Sequence, residues 1–108
     1  MVSNVIMFIK NGSFKKYKHI ISYMPVVITQ QPLSGVTTVG NTFVFSINVK
    51  GSAPIIYQWY RGNFPIANAK SNILTLSSVQ LSSNANYYCK VGNNKYTIDS
   101  NTVRLSVI

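Results

Sequence analysis

Side chains able to carry acid–base or nucleophilic chemistry are scarce in this 108-residue chain: His19, Cys89 and Asp99 are its only histidine, cysteine and carboxylate residues. Glycoside hydrolysis needs two carboxylates, and a structural zinc site needs four Cys or His ligands. A catalytic pair of Cys89 and His19 would require a core thiol to become exposed. No glycine-rich phosphate-binding loop is present. We therefore predict a protein that is not an enzyme and that holds no metal and no cofactor.

Binding chemistry is better represented, because ten Lys or Arg residues give the chain a net charge of +9. Such a chain attracts polyanions, which include acidic protein surfaces, nucleic acid, anionic glycans and membranes. A codon bias toward Lys and Asn, with solubility as its benefit, would explain the charge equally well. No apolar run approaches the roughly 20 residues that cross a bilayer, so no membrane span is predicted.

The first candidate binding segment covers residues 1–24 and is both basic and rich in aromatic residues. Its predicted partner-binding residues are Phe8, Lys10, Phe14, Lys15, Lys16, Tyr17 and Lys18. Lysines beside aromatic rings can hold nucleic acid through phosphate contacts and base stacking. The same residues can anchor the chain by pairing strands with a neighbouring subunit and facing its acidic side chains. The third alternative is a segment that only covers one edge of its own domain.

Asn11-Gly12 lies between two apolar runs of this segment and predicts a β-hairpin, since both turn positions need a positive φ. An isolated hairpin is only marginally stable in water, so it should lean on the domain, on another copy or on a partner. Met24-Pro25 marks the boundary. We therefore divide the chain into an N-terminal hairpin or anchoring arm, residues 1–24, and a domain, residues 25–108.

Short runs of alternating apolar residues, separated by turn residues, make up the second part. Within residues 43–49 the odd-numbered positions are all apolar and share one face. Pro32 interrupts a first edge strand, which residues 36–39 are expected to resume. The residues predicted to form the structural core are Ile47, Trp59, Leu76, Tyr87 and Cys89. The pattern predicts an all-β sandwich of about seven strands.

A second candidate site lies on the outward side of the strands that carry Trp59 and Cys89. By alternation, five residues point outward from three neighbouring strands: Gln58, Tyr60, Tyr88, Lys90 and Arg104. Tyr and Arg are enriched at the centres of protein interfaces. Ordinary surface is the alternative, since solitary exposed aromatic residues are common. The turn at residues 92–95 is a third candidate, because loops on rigid scaffolds often bind ligands.

Residues 26–107 resemble immunoglobulin-like domains, specifically the bacterial and phage variety. The resemblance rests on three runs: Ile28-Thr29-Gln30-Gln31-Pro32, Ile55-Ile56-Tyr57-Gln58-Trp59-Tyr60-Arg61 and Ala85-Asn86-Tyr87-Tyr88-Cys89. It implies that Trp59 packs on Cys89 and that the Tyr87 hydroxyl pins a corner. Ile47 stands where the family's first disulfide Cys would be, and Ser83 where an Asp often stands. The implied roles are adhesion, display on virions, glycan or protein binding, and use as a spacer.

The missing disulfide suits folding in a reducing compartment. Cys89 is then a small buried hydrophobe, the alternative being a reactive or intermolecular thiol. The first residues make a poor signal peptide, because Lys10 and the lysines after it follow the short apolar run instead of preceding it. We therefore expect a chain that has an extracellular type of fold but no export signal of its own.

These three features together predict a virion protein that folds in the host cytoplasm. The predicted role is structural, as a capsid decoration or minor head or tail component of a bacteriophage or other virus, with residues 1–24 anchoring it to capsid or other virion subunits. One alternative is a secreted or cell-surface adhesion module that binds a glycan or a protein. The other, ranked below both, is a nucleic-acid-associated protein that uses the basic arm.

Overall fold

A computed structural model describes residues 24–108 of the chain. The predicted hairpin around Asn11-Gly12, the candidate residues of the arm and His19 lie outside the described residues. The described residues are therefore Met24 and the whole of the predicted domain, residues 25–108.

Ten strands and one short 3-10 turn form the described part. The strands are β1 (Val27–Gln30), β2 (Gly35–Thr37), β3 (Phe43–Ser46), β4 (Asn48–Lys50), β5 (Ile56–Arg61), β6 (Phe64–Pro65), β7 (Ile73–Leu76), β8 (Ala85–Gly92), β9 (Thr97–Asp99) and β10 (Val103–Val107). The 3-10 turn Leu81–Ser83 connects β7 to β8. Within residues 24–108, no helix has the length and apolar character needed to span a membrane.

The strands pack as a two-layered sandwich, which confirms the predicted fold. One layer has the strand order β2-β10-β8-β5-β6, with β9 also paired to β8. In the other, β1 pairs with β4 and β3 pairs with β7. These two pairs join through Ile47, whose N–H donates to the carbonyl of Asn72 over 3.0 Å. The first predicted strand is divided into β1 and β2 and the run of residues 43–49 into β3 and β4, and the short strands β6 and β9 bring the count to ten.

The break between β1 and β2 moves the chain from one layer to the other. The sequence predicts that residues 36–39 resume the first strand, but β2 instead pairs in parallel with β10 in the opposite layer. Pro32 cannot donate a backbone hydrogen bond, so the ladder with β4 ends before it. Gly35 then lies against the ring of Phe43, where a Cβ atom would come within 2.3 Å of the ring. A residue without a side chain is needed at this crossing.

The break between β9 and β10 is a bulge organised by Ser100. The Ser100 N–H donates to the Cys89 carbonyl over 2.8 Å, and the Cys89 N–H donates to the Ser100 hydroxyl over 2.9 Å. Further along, Tyr87 pairs with Val103. The three residue steps from Ser100 to Val103 therefore match the two steps from Cys89 to Tyr87 on β8, which is the geometry of a β-bulge. Ser100 is buried, and its hydroxyl satisfies a backbone group that the bulge would otherwise leave without a partner.

The core between the layers is built around aromatic rings. The ring centroid of Phe45 lies 6.1 Å from that of Trp59 and 5.3 Å from that of Tyr87. The structure buries Ile47, Trp59, Tyr87 and Cys89, and it leaves Leu76 half-buried against them. Trp59 lies directly opposite Cys89 on the neighbouring strand.

Both buried rings with polar atoms have hydrogen-bond partners. The Tyr87 hydroxyl donates to the carbonyl of Ser83 over 2.8 Å, which closes the corner before β8 as the resemblance implies. The indole Nε1 of Trp59 donates to the carbonyl of Ser71 over 2.8 Å. These bonds fix the connections at residues 71 and 83 to the core, because burying a polar group without a partner is costly.

Candidate protein-interaction face

The surface of interest is the outer side of β5, β8 and β10, called the outer face below. Strand register places Gln58 opposite Lys90 and Tyr60 opposite Tyr88. Arg104 lies opposite Asn86, one outward position along β8 from Tyr88. The five residues predicted from alternation are thus brought onto one continuous surface, and four of them form two adjacent cross-strand pairs.

Tyr60 and Tyr88 stack on each other at the centre of the outer face. Their ring centroids are 4.9 Å apart, and their planes differ by only 5°. Each ring is half-buried. Such a pair is worth about 0.5–1.5 kcal/mol beyond the burial of its area. A partner that contacts these rings therefore meets side chains that are already fixed, so little rotamer entropy is lost on binding.

Lys90 is held in place beside this stack. Its Nζ donates to Oδ1 of Asp99 over 2.9 Å and lies 5.9 Å from the centroid of the Tyr60 ring. The hydrogen bond to Asp99, with the charge of that carboxylate, raises the pKa of Lys90 above its usual value. Because both side chains are exposed, the ion pair adds little stability. Its effect is to orient the ammonium group and to offset its charge.

Asp99 is a member of the outer face that sequence reasoning did not assign to it. It lies on β9 directly opposite Lys90. The signal that could have found it is its position as the only carboxylate of the chain, within a strand whose alternation points it outward. With Lys90 paired to Asp99, Arg104 is the cation of the outer face whose side chain is exposed and has no ion pair or hydrogen bond within residues 24–108.

Gln58 lies on the outer face, but its amide nitrogen is already engaged. It donates to the carbonyls of Trp59 over 2.9 Å and of Ile66 over 2.8 Å. Both amide hydrogens therefore brace the hairpin between β5 and β6. Both donors of Gln58 are thus used within its own domain, and only its carbonyl oxygen is left to face a partner.

A shallow depression of about 220 Å³ adjoins the stacked rings, and its walls are mostly apolar. Its lining residues are Ile56, Tyr57, Gln58, Lys90, Gly92, Asn93 and Thr97. Gly92 forms part of its lining. A Cβ atom at this position would approach the Thr97 hydroxyl to 2.9 Å, so a larger residue would crowd the depression. The depression has room for a partner's apolar side chain, and binding hot spots commonly consist of an anchor residue in such a pocket.

Asn93 clamps three chain segments together at the end of the sandwich beside this depression. Its Nδ2 donates to the carbonyls of Met24 and Ser52, each over 3.1 Å. Its Oδ1 accepts from the N–H groups of Lys95 and Tyr96 over 3.1 and 2.9 Å. The sequence predicts only a polar turn at residues 92–95. An Asn that folds back on its own turn is a recognisable local motif, whereas its contacts to Met24 and Ser52 depend on the fold.

Met24 is fixed at this end by two further bonds to Ser52. The Met24 N–H donates to the Ser52 hydroxyl over 2.7 Å, and the Ser52 N–H donates to the Met24 carbonyl over 3.2 Å. Asn93 follows the end of β8, whereas β10 pairs with the beginning of β8 and then leads to Ile108. The chain therefore enters the sandwich at one end and reaches Ile108 at the other.

The two layers, the Trp strand and the Tyr corner characterise a known domain type. A sequence model of the immunoglobulin domain matches residues 25–107. The chain belongs to the immunoglobulin domain family. Immunoglobulin domains are generally non-enzymatic and typically mediate protein–protein interactions, and they are common in adhesion and structural proteins.

Solved structures of immunoglobulin domains share the fold at low sequence identity. The titin I-band fragment I67–I69 matches with 24% identity and a TM-score of 0.70, covering 77% of this chain and 32% of that one. Immunoglobulin domains 1–5 of Sidekick-1 match with 23% identity and a TM-score of 0.72, covering 80% and 20%. Tandem immunoglobulin repeats of Dlar match with 22% identity and a TM-score of 0.73, covering 79% of this chain and 49% of that one.

These similarities show the fold alone. The chain spans about a third of the length of the titin I67–I69 fragment. Among curated protein sequences no match was found. The immunoglobulin domain is established, and its bacterial or phage variety stays a prediction.

Cys89 is a packing residue in this immunoglobulin domain. Its side chain is fully buried and forms no disulfide, and Ile47, at the position expected for a partner Cys, is fully buried as well. Burial raises the pKa of the Cys89 thiol to about 11, so it is neutral at pH 7. Within residues 24–108 no three metal-ligating side chains lie together. Cys89 therefore fills space in a core that closes without a cross-link.

The buried thiol should make the domain less stable at alkaline pH. In the unfolded chain the thiol ionises near pH 9.0, whereas in the folded chain it keeps its proton up to about pH 11. Between these values the unfolded chain loses a proton that the folded chain retains. The free energy of unfolding therefore falls as pH rises through this window, by up to about 1.4 kcal/mol per pH unit, and is unaffected by the thiol below it.

Urea unfolding at pH 7, 9 and 10, followed by the fluorescence of Trp59, measures this loss. Cys89→Ala is the control, because it removes the titrating group and should flatten the dependence between pH 9 and 10. The raised pKa values of Tyr57 and Tyr87, which arise mainly from burial, act in the same direction above pH 10 in both chains. An equally steep loss between pH 9 and 10 in Cys89→Ala would show that the thiol is not its cause.

Proposed function

We propose that this immunoglobulin domain is a non-enzymatic recognition module that binds a partner protein through its outer face. The observation that carries the proposal is the stack of Tyr60 on Tyr88, flanked by an apolar depression and by Arg104, which has no ion pair within residues 24–108. Aromatic residues and Arg are the side chains most enriched at binding hot spots. Here they are joined on one rigid sheet, so the ordering cost of binding is small.

The charge of the domain supports a partner with an acidic surface. Residues 24–108 contain six Lys or Arg residues, and the carboxylate of Asp99 is the single acidic side chain among them. Long-range attraction to an acidic partner speeds encounter and orients the two surfaces. Arg104 can donate two parallel hydrogen bonds to a partner carboxylate, because its guanidinium is exposed and has no ion pair within residues 24–108.

As the setting of this interaction we propose a virus particle, with residues 1–24 attaching the chain to shell subunits and the outer face presented to a protein. Two observations support this setting. The core closes around a reduced Cys89, as a protein folded in a reducing host compartment requires. The chain enters the sandwich at Met24, which is bonded to Ser52 and Asn93 at one end of the two layers.

The second candidate function is a secreted or cell-surface adhesion module. It is favoured by the occurrence of immunoglobulin domains in adhesion proteins and needs only the outer face, not residues 1–24. Its ligand is a protein or a glycan, since stacked tyrosines can pack on sugar rings as well as on protein side chains. The two functions share one recognition surface and differ in what residues 1–24 do.

Quantitative mass spectrometry of gradient-purified virus particles from the source separates the two settings. The virion proposal predicts the chain at a fixed ratio to the major shell protein after washing in high salt, and loss of the chain when residues 1–23 are deleted. Presence in the medium or on cells, with none on particles, would overturn the virion setting and favour adhesion. Retention of the truncated chain at the original ratio would overturn the anchoring role.

A further inference from the structure

Among the strands of residues 24–108, β7 is at the edge of the layer opposite the outer face, and β3 is the one strand paired with it. Ile47 and Asn72 form a hydrogen-bonded pair just beyond this ladder. Antiparallel strands alternate hydrogen-bonded and non-bonded pairs, so Leu74 and Leu76 direct their backbone groups toward β3. Ile73 and Thr75 therefore direct theirs away from β3, toward the open edge.

The open edge carries backbone groups without partners among the described residues. The Ile73 N–H donates to the hydroxyl of Ser71 over 3.2 Å. The N–H of Thr75 and the carbonyls of Ile73 and Thr75 have no hydrogen bond within residues 24–108. Natural edge strands are usually protected by a Lys, a Pro or a bulge. β7 has none of these, and its pairing with β3 is regular over all four residues.

The chain segment that contains β7 carries no charged side chain, which is unusual in so basic a chain. No Lys, Arg, Asp or Glu occurs in residues 71–89, although the net charge of the chain is +9. Ile73 and Val44 lie on the outer side of this layer and are 46% and 50% exposed. A second copy of the chain can therefore approach here without placing like charges in contact, and it would cover apolar surface.

We propose that β7 pairs antiparallel with β7 of a second copy of this chain about a two-fold axis at Leu74. Ile73 of one copy then lies opposite Thr75 of the other, and the backbone groups that point outward from both residues are paired across the axis. The layer becomes continuous through both copies. Because the edge belongs to the layer opposite the outer face, the dimer leaves both outer faces free and binds bivalently, which multiplies a weak affinity.

Sedimentation equilibrium of the full chain from micromolar to millimolar concentration tests this pairing. The expected result is a reversible rise in average mass from one chain toward two. Added salt should strengthen the association, because it screens repulsion between two basic copies. Binding of an acidic partner at the outer face responds in the opposite direction, so the two interactions are distinguishable.

Ile73→Lys should raise the dissociation constant of the dimer at least about tenfold, since it places a charge on the pairing edge. Val27→Lys is the matched control, because Val27 is similarly exposed on the same layer but on β1, away from this edge. Thr75→Pro is a second test, because it removes the outward N–H without breaking a bond to β3. Circular dichroism verifies that each variant is folded.

Three outcomes would overturn the pairing: a chain that stays monomeric up to millimolar concentration, a dimer that is unchanged in both Ile73→Lys and Thr75→Pro, or a dimer that is lost equally in Val27→Lys. The first would leave β7 as an uncovered edge or one covered by residues outside the described range. The other two would assign the contact to another surface. None of these outcomes bears on binding at the outer face.

Discussion

Asn93→Ala is expected to lower the free energy of unfolding by about 2–4 kcal/mol, because it removes four hydrogen bonds from a buried position and deprives backbone groups of their partners. The carbonyl of Ser52 loses this donor, the carbonyl of Met24 keeps the N–H of Ser52 as a donor, and the N–H groups of Lys95 and Tyr96 lose their acceptor. Urea unfolding followed by the fluorescence of Trp59, the only tryptophan of the chain, measures the change.

Asn94→Ala is the matched control, since Asn94 is the exposed neighbour in the same turn and should change stability by no more than about 0.5 kcal/mol. Asn93→Asp should fall between the two, because it retains the acceptor of the turn but loses both donors. If Asn93→Ala unfolds within 0.5 kcal/mol of the parent chain, as expected of a surface position, the clamp contributes nothing and the turn is held by other contacts.

The combined change Tyr60→Ala, Tyr88→Ala and Arg104→Glu is expected to weaken binding of the partner protein at least about 100-fold, because it removes the stacked rings and reverses the free charge of the outer face. Parent binding should itself weaken as salt rises, since it includes attraction to an acidic surface. Surface plasmon resonance with the partner immobilised measures both effects.

The control for this prediction is a triple variant of matched chemistry on the other layer: Val27→Ala, Thr29→Ala and Lys50→Glu. These residues are exposed and lie on β1 and β4, away from the outer face. The control should bind within about twofold of the parent chain, which is the range of a surface change outside the contact. If both triple variants lose the same affinity, long-range charge and not the outer face governs binding.

The local pattern of the sequence was sufficient to predict the β-sandwich and five residues of the outer face, but not Asp99. The apolar alternation of residues 43–49 and the outward positions of Tyr60 and Tyr88 follow from the two-residue period of a strand. The corner bond of Tyr87 to Ser83 and the burial of Cys89 opposite Trp59 follow from the resemblance to immunoglobulin domains. Period and spacing are properties of single strands, so a sequence displays them directly.

Features that depend on contacts between distant segments could not be predicted in this way. Pro32 marks the end of a strand, but the pairing of β2 with β10 in the other layer joins segments that are far apart in the chain. The engagement of Gln58 with Ile66 and the clamp of Asn93 on Met24 and Ser52 likewise join residues that are not neighbours in the chain. A polar residue in a strand or turn has the same appearance in sequence whether it faces solvent or a buried backbone group.

Site-specific photo-crosslinking tests the central claim, recognition through the outer face, most directly. A benzophenone amino acid replaces Asn86, which is exposed between Tyr88 and Arg104, or replaces Lys50 on the opposite layer. We expect a discrete protein adduct from position 86 and none from position 50. Excess parent chain should suppress this adduct, and the Tyr60→Ala, Tyr88→Ala, Arg104→Glu chain should not. An adduct formed only from position 50, or suppressed equally by both competitors, would contradict recognition through this face.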